Sequence, residues 1–272
     1  MTINTTLKAD LIQLMLMLTF WAVAIIFISP VGNFPLNDDW HYGHPVLHLL
    51  DEGAYLIKVP VASNLFFQVA WGYLFCKIGG SFDFTWLRYS VIFWGILTTF
   101  SFYGLLRHLR LGSQQALGLA LLLFFNPVFF SLSFTFMTDV PFLALAVLSI
   151  LCYMKFLEEP LLLYRMGGFL MAILAFLVRQ PGLLIPIAFE LALLASRPEK
   201  RQWYYFLGTL FFLLLSYFIV EKIIKPAVGS TSSYISVSNI YLSTLLKNPS
   251  NFVFRLLKYN TMGLYYLGLF TA

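Results

Sequence analysis

"PVASNLFFQVAWGYLFCKIGG", residues 60–80, decides how this chain is threaded. It is apolar and near the ~20 residues a bilayer crossing requires. Yet it carries Asn64, Gln68 and Lys77 and ends in the pair Gly79-Gly80, so it reads as a segment that lies in the interface or re-enters. Charge decides the matter. If residues 62–79 cross and the N-terminus is cytoplasmic, "RHLRLG" at 107–112 and "RPEKR" at 197–201 both fall outside, against the positive-inside rule. If they do not cross, both basic loops become cytoplasmic, together with "KFLEEPLLLYR" at 155–165.

The surrounding sequence is that of a polytopic membrane protein. Hydrophobic residues make up 60% of 272 positions and charged ones only 11%, with a mean hydropathy of +0.82, more apolar than a soluble domain of this length needs. Spans are expected at about 11–29, 86–106, 114–134, 140–157, 162–178, 182–196 and 203–221. The first has only Lys8 before it and no small-residue cleavage site, so it reads as a retained span rather than a signal peptide. The expected fold is an all-α transmembrane bundle in a single domain, with residues 31–85 as one large external loop carrying surface helices. A net charge of +5 belongs to Lys and Arg spread between apolar runs, the pattern of cytoplasmic loops, and excludes a nucleic-acid partner. Cys76 and Cys152 provide neither a disulfide framework nor a metal spacing. The sequence stops within what reads as an unfinished apolar segment, so a missing C-terminal part is expected.

Polar chemistry concentrates in the first loop, which holds Asp38, Asp39, Asp51, Glu52 and Asp83. In "NDDWHYGHPVLHLLDEG", residues 37–53, Asn37 suits an N-cap and the two aspartates a first helical turn; Gly43 and Pro45 divide the stretch into two short helices. Three readings of the acids stand side by side. They cap a helix; or His41, His44 and His48 join them around zinc, although no Cys is near and Pro45 splits the set; or one Asp is a general base held where lipid meets water.

Other polar positions face the same side under this topology. Asp139 in "FTFMTDVPF" begins a span, as a cap or as a second carboxylate over the same cavity. Arg179 in "LVRQPG" and Lys58 in "YLIKVPVASN" either snorkel to water or hold an anionic phosphate at the membrane surface. Asn126-Pro127 predicts a kink in the third span, and Glu190 a structural ion pair with the neighbouring "SRPEKR" run.

The arrangement resembles the GT-C class of polyprenyl-phosphate-dependent glycosyltransferases, in the group of protein O-mannosyltransferases and the lipid A aminoarabinose transferase. There, a first span precedes a large external loop with surface helices, an acidic pair and a Tyr four residues after the first acid. "DDWHY" offers Asp38, Asp39 and Tyr42 at that spacing, Lys58 precedes the amphipathic segment, and Asp139 in "MTDVPF" opens a later span. The resemblance implies Asp38 as the catalytic carboxylate, with Asp39, His41, Tyr42, Lys58, Asp139 and Arg179 contacting substrate. Asp39 stands where the family has Glu, and His41 where some members have Arg.

It further implies a sugar donor on a polyprenyl phosphate, an acceptor hydroxyl on lipid, glycan or protein, and inversion at the anomeric carbon. No cofactor is implied, and a divalent metal is not indicated. The setting is a bacterial inner membrane with a periplasmic site, or an endoplasmic reticulum membrane with a lumenal one. Two other classes stay open: a transporter or flippase of a lipid-linked glycan, which predicts ionisable groups in mid-span, and a structural subunit without chemistry.

Overall fold

The computed structural model describes residues 2–57, 64–196, 200–228 and 243–271, and Lys58 lies outside them. The described residues contain helices and no strand. They run as α1 (Thr2–Ile28), α2 (Asp39–Asp51), α3 (Phe66–Gly79), α4 (Phe84–His108), α5 (Ser113–Phe124), α6 (Pro127–Ser133), α7 (Asp139–Glu158), α8 (Leu162–Val178), a 3-10 turn (Gln180–Leu183), α9 (Leu184–Ser196) and α10 (Lys200–Phe218). A π-helical stretch, Ile219–Ile224, carries α10 on to Ala227, and α11 covers Pro249–Thr271.

Among the described residues four helices are long and apolar enough to cross a membrane: Leu7–Ile28, Phe84–His108, Asp139–Glu158 and Gln202–Ala227. The expected third span is broken. α5 and α6 meet at 68°, because Asn126 caps α6, accepting from Val128 N and Phe129 N at 3.1 Å each, and Pro127 takes its first position. The expected spans at 162–178 and 182–196 are the shorter apolar helices α8 and α9.

Ion pairs give the threading. Arg107 Nε reaches Asp10 Oδ1 at 2.7 Å, so the start of α1 and the end of α4 lie at one end of the bundle. His108 Nε2 lies 3.7 Å from Glu158 Oε1, which brings the end of α7 there too. With α1 and α4 antiparallel, residues 29–83 leave and return at the same end, so a single crossing between them is excluded. At 14 residues α3 is ~21 Å long, short of the ~30 Å hydrocarbon layer. The polar, Gly-ended segment 64–80 packs along the first half of α4, with Trp71 Nε1 donating to Ser90 O at 3.1 Å, toward the end opposite Arg107.

α2 corrects an expectation. Instead of two short helices, Asp39–Asp51 is continuous through Gly43 and Pro45. Proline costs the helix a hydrogen bond, but Gly43, Pro45 and Val46 are all buried. Gly43 is small enough to bring α2 against α4: a Cβ there would stand 3.2 Å from both Leu87 and Phe84. Nor is Asn37 the cap; its backbone is left-handed (φ 56°), and Asp38 takes the cap position without a side-chain cap bond.

The main core gathers around Trp21, Phe124, Phe129 and Phe134, with Trp21 Nε1 donating to Thr99 Oγ1 at 3.0 Å. Gly95 admits the Trp21 ring against α4. Burial is uneven among the spans: 56% of the apolar window of α4 is covered by other helices, against 11% for the Gln202–Ala227 window.

Glu190 is paired as expected, but with a different partner. Arg165 Nη2 on α8 donates to both its carboxylate oxygens at 2.6 Å, and Thr209 Oγ1 on α10 lies 3.3 Å away. The guanidinium also rests 4.0 Å over the Tyr205 ring. α10 packs chiefly on α9, so this buried cluster is what ties it to α8. Removing one partner leaves an uncompensated buried charge, a loss on the order of 3–5 kcal/mol. Glu190→Gln is therefore expected to lower the melting temperature in detergent by well over the shift from Glu158→Gln, whose imidazole-paired carboxylate is 57% exposed. Replacing the pair together, as Arg165→Met with Glu190→Leu, is expected to recover most of the loss.

Candidate active site

The site begins at the first turn of α4. Asp83 caps that helix, accepting from Thr85 N at 2.7 Å. The same turn grips the loop leaving α1: Gly32 N donates to Thr85 Oγ1 (2.9 Å), and Phe84 N to Asn33 Oδ1 (3.2 Å). Gly32 has φ 140°, a backbone that other residues rarely adopt, which lets the loop fold back over α4. Arg88, one turn further and 1% exposed, donates to Pro30 O (3.1 Å), Gly32 O (2.9 Å) and Phe34 O, and stacks 4.6 Å over the Phe34 ring.

Asp39 lies at the other edge of this loop. Its side chain is fully buried, and Oδ1 accepts from Leu36 N at 2.6 Å, two residues beyond the carbonyl that Arg88 holds. Oδ2 is buried and makes no hydrogen bond among the described residues. Burial raises the Asp39 pKa above the ordinary carboxylate value; the N–H groups of Leu36, Phe136 and Trp40 and the charge of Arg88 pull the other way without cancelling it.

The Phe136 N–H connects α2 to the turn before α7. That turn and the corner after α8 are bolted together by the start of α3. Gln68 Nε2 donates to Met137 O (3.4 Å), Asn64 Nδ2 to Phe176 O (2.6 Å) and Leu65 N to Val178 O (3.4 Å). Across the junction, Arg179 Nη1 is bonded to Asp139 Oδ1, a pair about 40% exposed on both sides. Arg179 has extended backbone between α8 and the 3-10 turn. A Cβ on Gly182 would fall onto the backbone of Ala175 and Phe176, so this corner closes only with glycine there.

The structure thus gathers Asp39, Asp139 and Arg179 around one turn at the end opposite the basic loops. Asp38 stands exposed in solvent ahead of α2, and His41 and Tyr42 are half-buried along it. The remaining histidines form a ladder: the rings of His44 and His48 are 4.4 Å apart, and His48 Nδ1 is 2.8 Å from Glu52 Oε1. Among the described residues no group of three His, Cys, Asp or Glu is placed to hold a metal.

Arg88 is the member that sequence reasoning passes over. Its signal is present in "DFTWLRYSVIFW", an ionisable residue inside an apolar segment, which marks a buried role by default.

Comparison with known proteins now has geometry to act on. A family description, dolichyl-phosphate-mannose-protein mannosyltransferase, matches residues 68–245, from α3 past the end of α10. No match is found among curated proteins or among solved structures. The chain belongs to the dolichyl-phosphate-mannose-protein mannosyltransferase family and is, on that ground, a membrane glycosyltransferase.

Proposed function

We propose that the protein transfers a sugar from a polyprenyl-phosphate donor to an acceptor hydroxyl, with inversion, at the bundle end that carries Asp39, Asp139 and Arg179. The observation that carries this reading is the Asp39 carboxylate: buried, proton-retentive, with one oxygen committed to Leu36 N and the other uncommitted. A general base needs such an oxygen and a pKa drawn toward the working pH. Displacement then breaks the anomeric carbon–phosphate oxygen bond as the acceptor oxygen attacks, the acceptor proton passes to Asp39, and the phosphate leaves on its lipid. Asp38 is the other candidate from sequence; its exposed position leaves it hydrated and free of fixed partners, which favours its neighbour.

Arg179 is proposed as the phosphate contact. A half-exposed ion pair contributes about 0–1 kcal/mol, so exchanging the Asp139 carboxylate for a donor phosphate costs little. Lys58, outside the described residues, is proposed to share that phosphate. The active end faces the periplasm or an equivalent lumen, and the basic end, with Arg107, Arg110, Lys155 and Arg165, the cytoplasm.

Four outcomes are expected. Offered a panel of polyprenyl-phosphate sugars including the mannose donor, Asp39→Asn loses roughly 10²–10⁴-fold in kcat while Asp38→Asn keeps most of its turnover; the reverse order moves the base to Asp38, and no turnover by wild type with any donor removes the enzyme reading. The wild-type rate rises with pH as Asp39 ionises, its midpoint above 3.8. Folding holds this proton more tightly than the unfolded chain does, so the ionised form is the less stable one. Stability therefore falls as pH climbs from the unfolded value through the folded one, and Asp39→Asn is expected to melt no lower than wild type at pH 7. Finally, with native cysteines replaced, a cysteine at exposed Ser81 is labelled by an impermeant maleimide from outside sealed cells, and one at exposed Gln114 only after permeabilisation.

A further inference from the structure

The loop of residues 30–36 carries no catalytic side chain, yet it is held at both edges: by Arg88 through the carbonyls of Pro30, Gly32 and Phe34, and by Asp39 through Leu36 N. Arg88 is buried on α4 with no carboxylate hydrogen-bonded to it among the contacts described, an expensive position for a cation. Three carbonyl acceptors and the Phe34 ring offset that cost, and an apolar side chain there would leave those carbonyls without a donor, so Arg88 is what holds the loop.

We infer that Arg88 is the positioning residue of the proposed base, acting on the Asp39 carboxylate through the loop it holds and as a buried cation on the neighbouring turn of α4. This rests on the reading of Asp39 as the base.

The first part follows from connectivity. Moving the Phe34 carbonyl moves Leu36 N, and the hydrogen bond that it gives Asp39 Oδ1 moves with it. Misplacement of a catalytic group by about 1 Å can cost on the order of 10²-fold. The second follows from the local charges. Asp39 has Asp38 and His41 beside it on α2, Asp83 and Arg88 on the α4 side, and Asp139 with Arg179 around the turn after α6. Arg179 is paired with Asp139. Against the larger effect of burial, the charge of Arg88 draws the Asp39 pKa down. Removing it raises the Asp39 pKa further, so the ascending limb of the pH–rate profile moves to higher pH.

The two parts separate by substitution. Arg88→Lys keeps the charge but lacks the planar fork that reaches several carbonyls; Arg88→Met removes both; Thr85→Val releases Gly32 N without touching any charge. Each is to be assayed in membranes with the polyprenyl-phosphate mannose donor and normalised to folded protein by size exclusion. Expected are a roughly 10²-fold lower kcat for Arg88→Met with donor KM changed by less than about twofold and an upward-shifted pH midpoint. Arg88→Lys should be intermediate in kcat with a wild-type midpoint, and Thr85→Val reduced in kcat with the midpoint unmoved. A wild-type midpoint in Arg88→Met, or Arg88→Lys no better than Arg88→Met, overturns the inference and makes Arg88 a structural residue. If Arg88→Met yields no folded protein, the midpoint and kcat of Arg88→Lys and Thr85→Val decide on the same terms. Asp39→Asn is the control for the parent reading: full turnover in that variant fails the base assignment itself, whereas an inactive Asp39→Asn beside an unaffected Arg88→Met fails this inference alone.

Discussion

Because Asp10 and Arg107 meet, α1 and α4 run antiparallel, and everything between them must leave and return at one end of the bundle. Within that stretch the described residues form α2, α3 and a loop whose N–H and carbonyl groups are met by α4. The acidic cluster follows from this geometry. Asp39 and Asp83, carried by that segment, are thereby delivered to the end of the bundle opposite Arg107.

Two ion pairs of similar composition serve opposite ends, and exposure separates their roles. Arg165 and Glu190 are sealed among α8, α9 and α10, where breaking the pair would strand a charge. Arg179 and Asp139 sit half in solvent, where water would compensate either partner. The first belongs to the framework and the second to a surface that can be rearranged. Asp39 is a third case, a carboxylate without an ion pair among the described residues, steadied by backbone N–H groups and raised in pKa by its burial.

Much of this was legible in the sequence because it rests on hydropathy and charge asymmetry. The all-helical bundle, the break at Asn126-Pro127 and the ion pairing of Glu190 follow from those signals, and Asp139 and Arg179, each expected at the same end, are found bonded to each other. What was not legible depends on contacts between distant positions. Gly43 and Pro45 look like a helix boundary locally, but α4 and α3 bury them and the helix runs on. Asp38 and Asp39 cannot be ranked by spacing; Leu36, Phe136 and the fold of the loop bury one and leave the other in solvent. The partner of Glu190 lies 25 positions away on α8, not in the basic run just after it. Arg88 went unread because its three acceptors are backbone carbonyls 54–58 residues away, and backbone leaves no mark in a motif.

The low coverage of the Gln202–Ala227 span bears on how such a sequence can change over time. Leu207, Phe211, Phe212, Leu214 and Leu215 face outward, so one apolar side chain serves there nearly as well as another. In α4, Leu87, Val91 and Trp94 each fit against shaped neighbours, and a change of volume is felt. Drift within the chain is therefore channelled: the outer span keeps its hydrophobic character while its letters turn over, and α4 keeps both. Relatives aligned by identity alone would look most distant along a helix whose physical task had not altered at all.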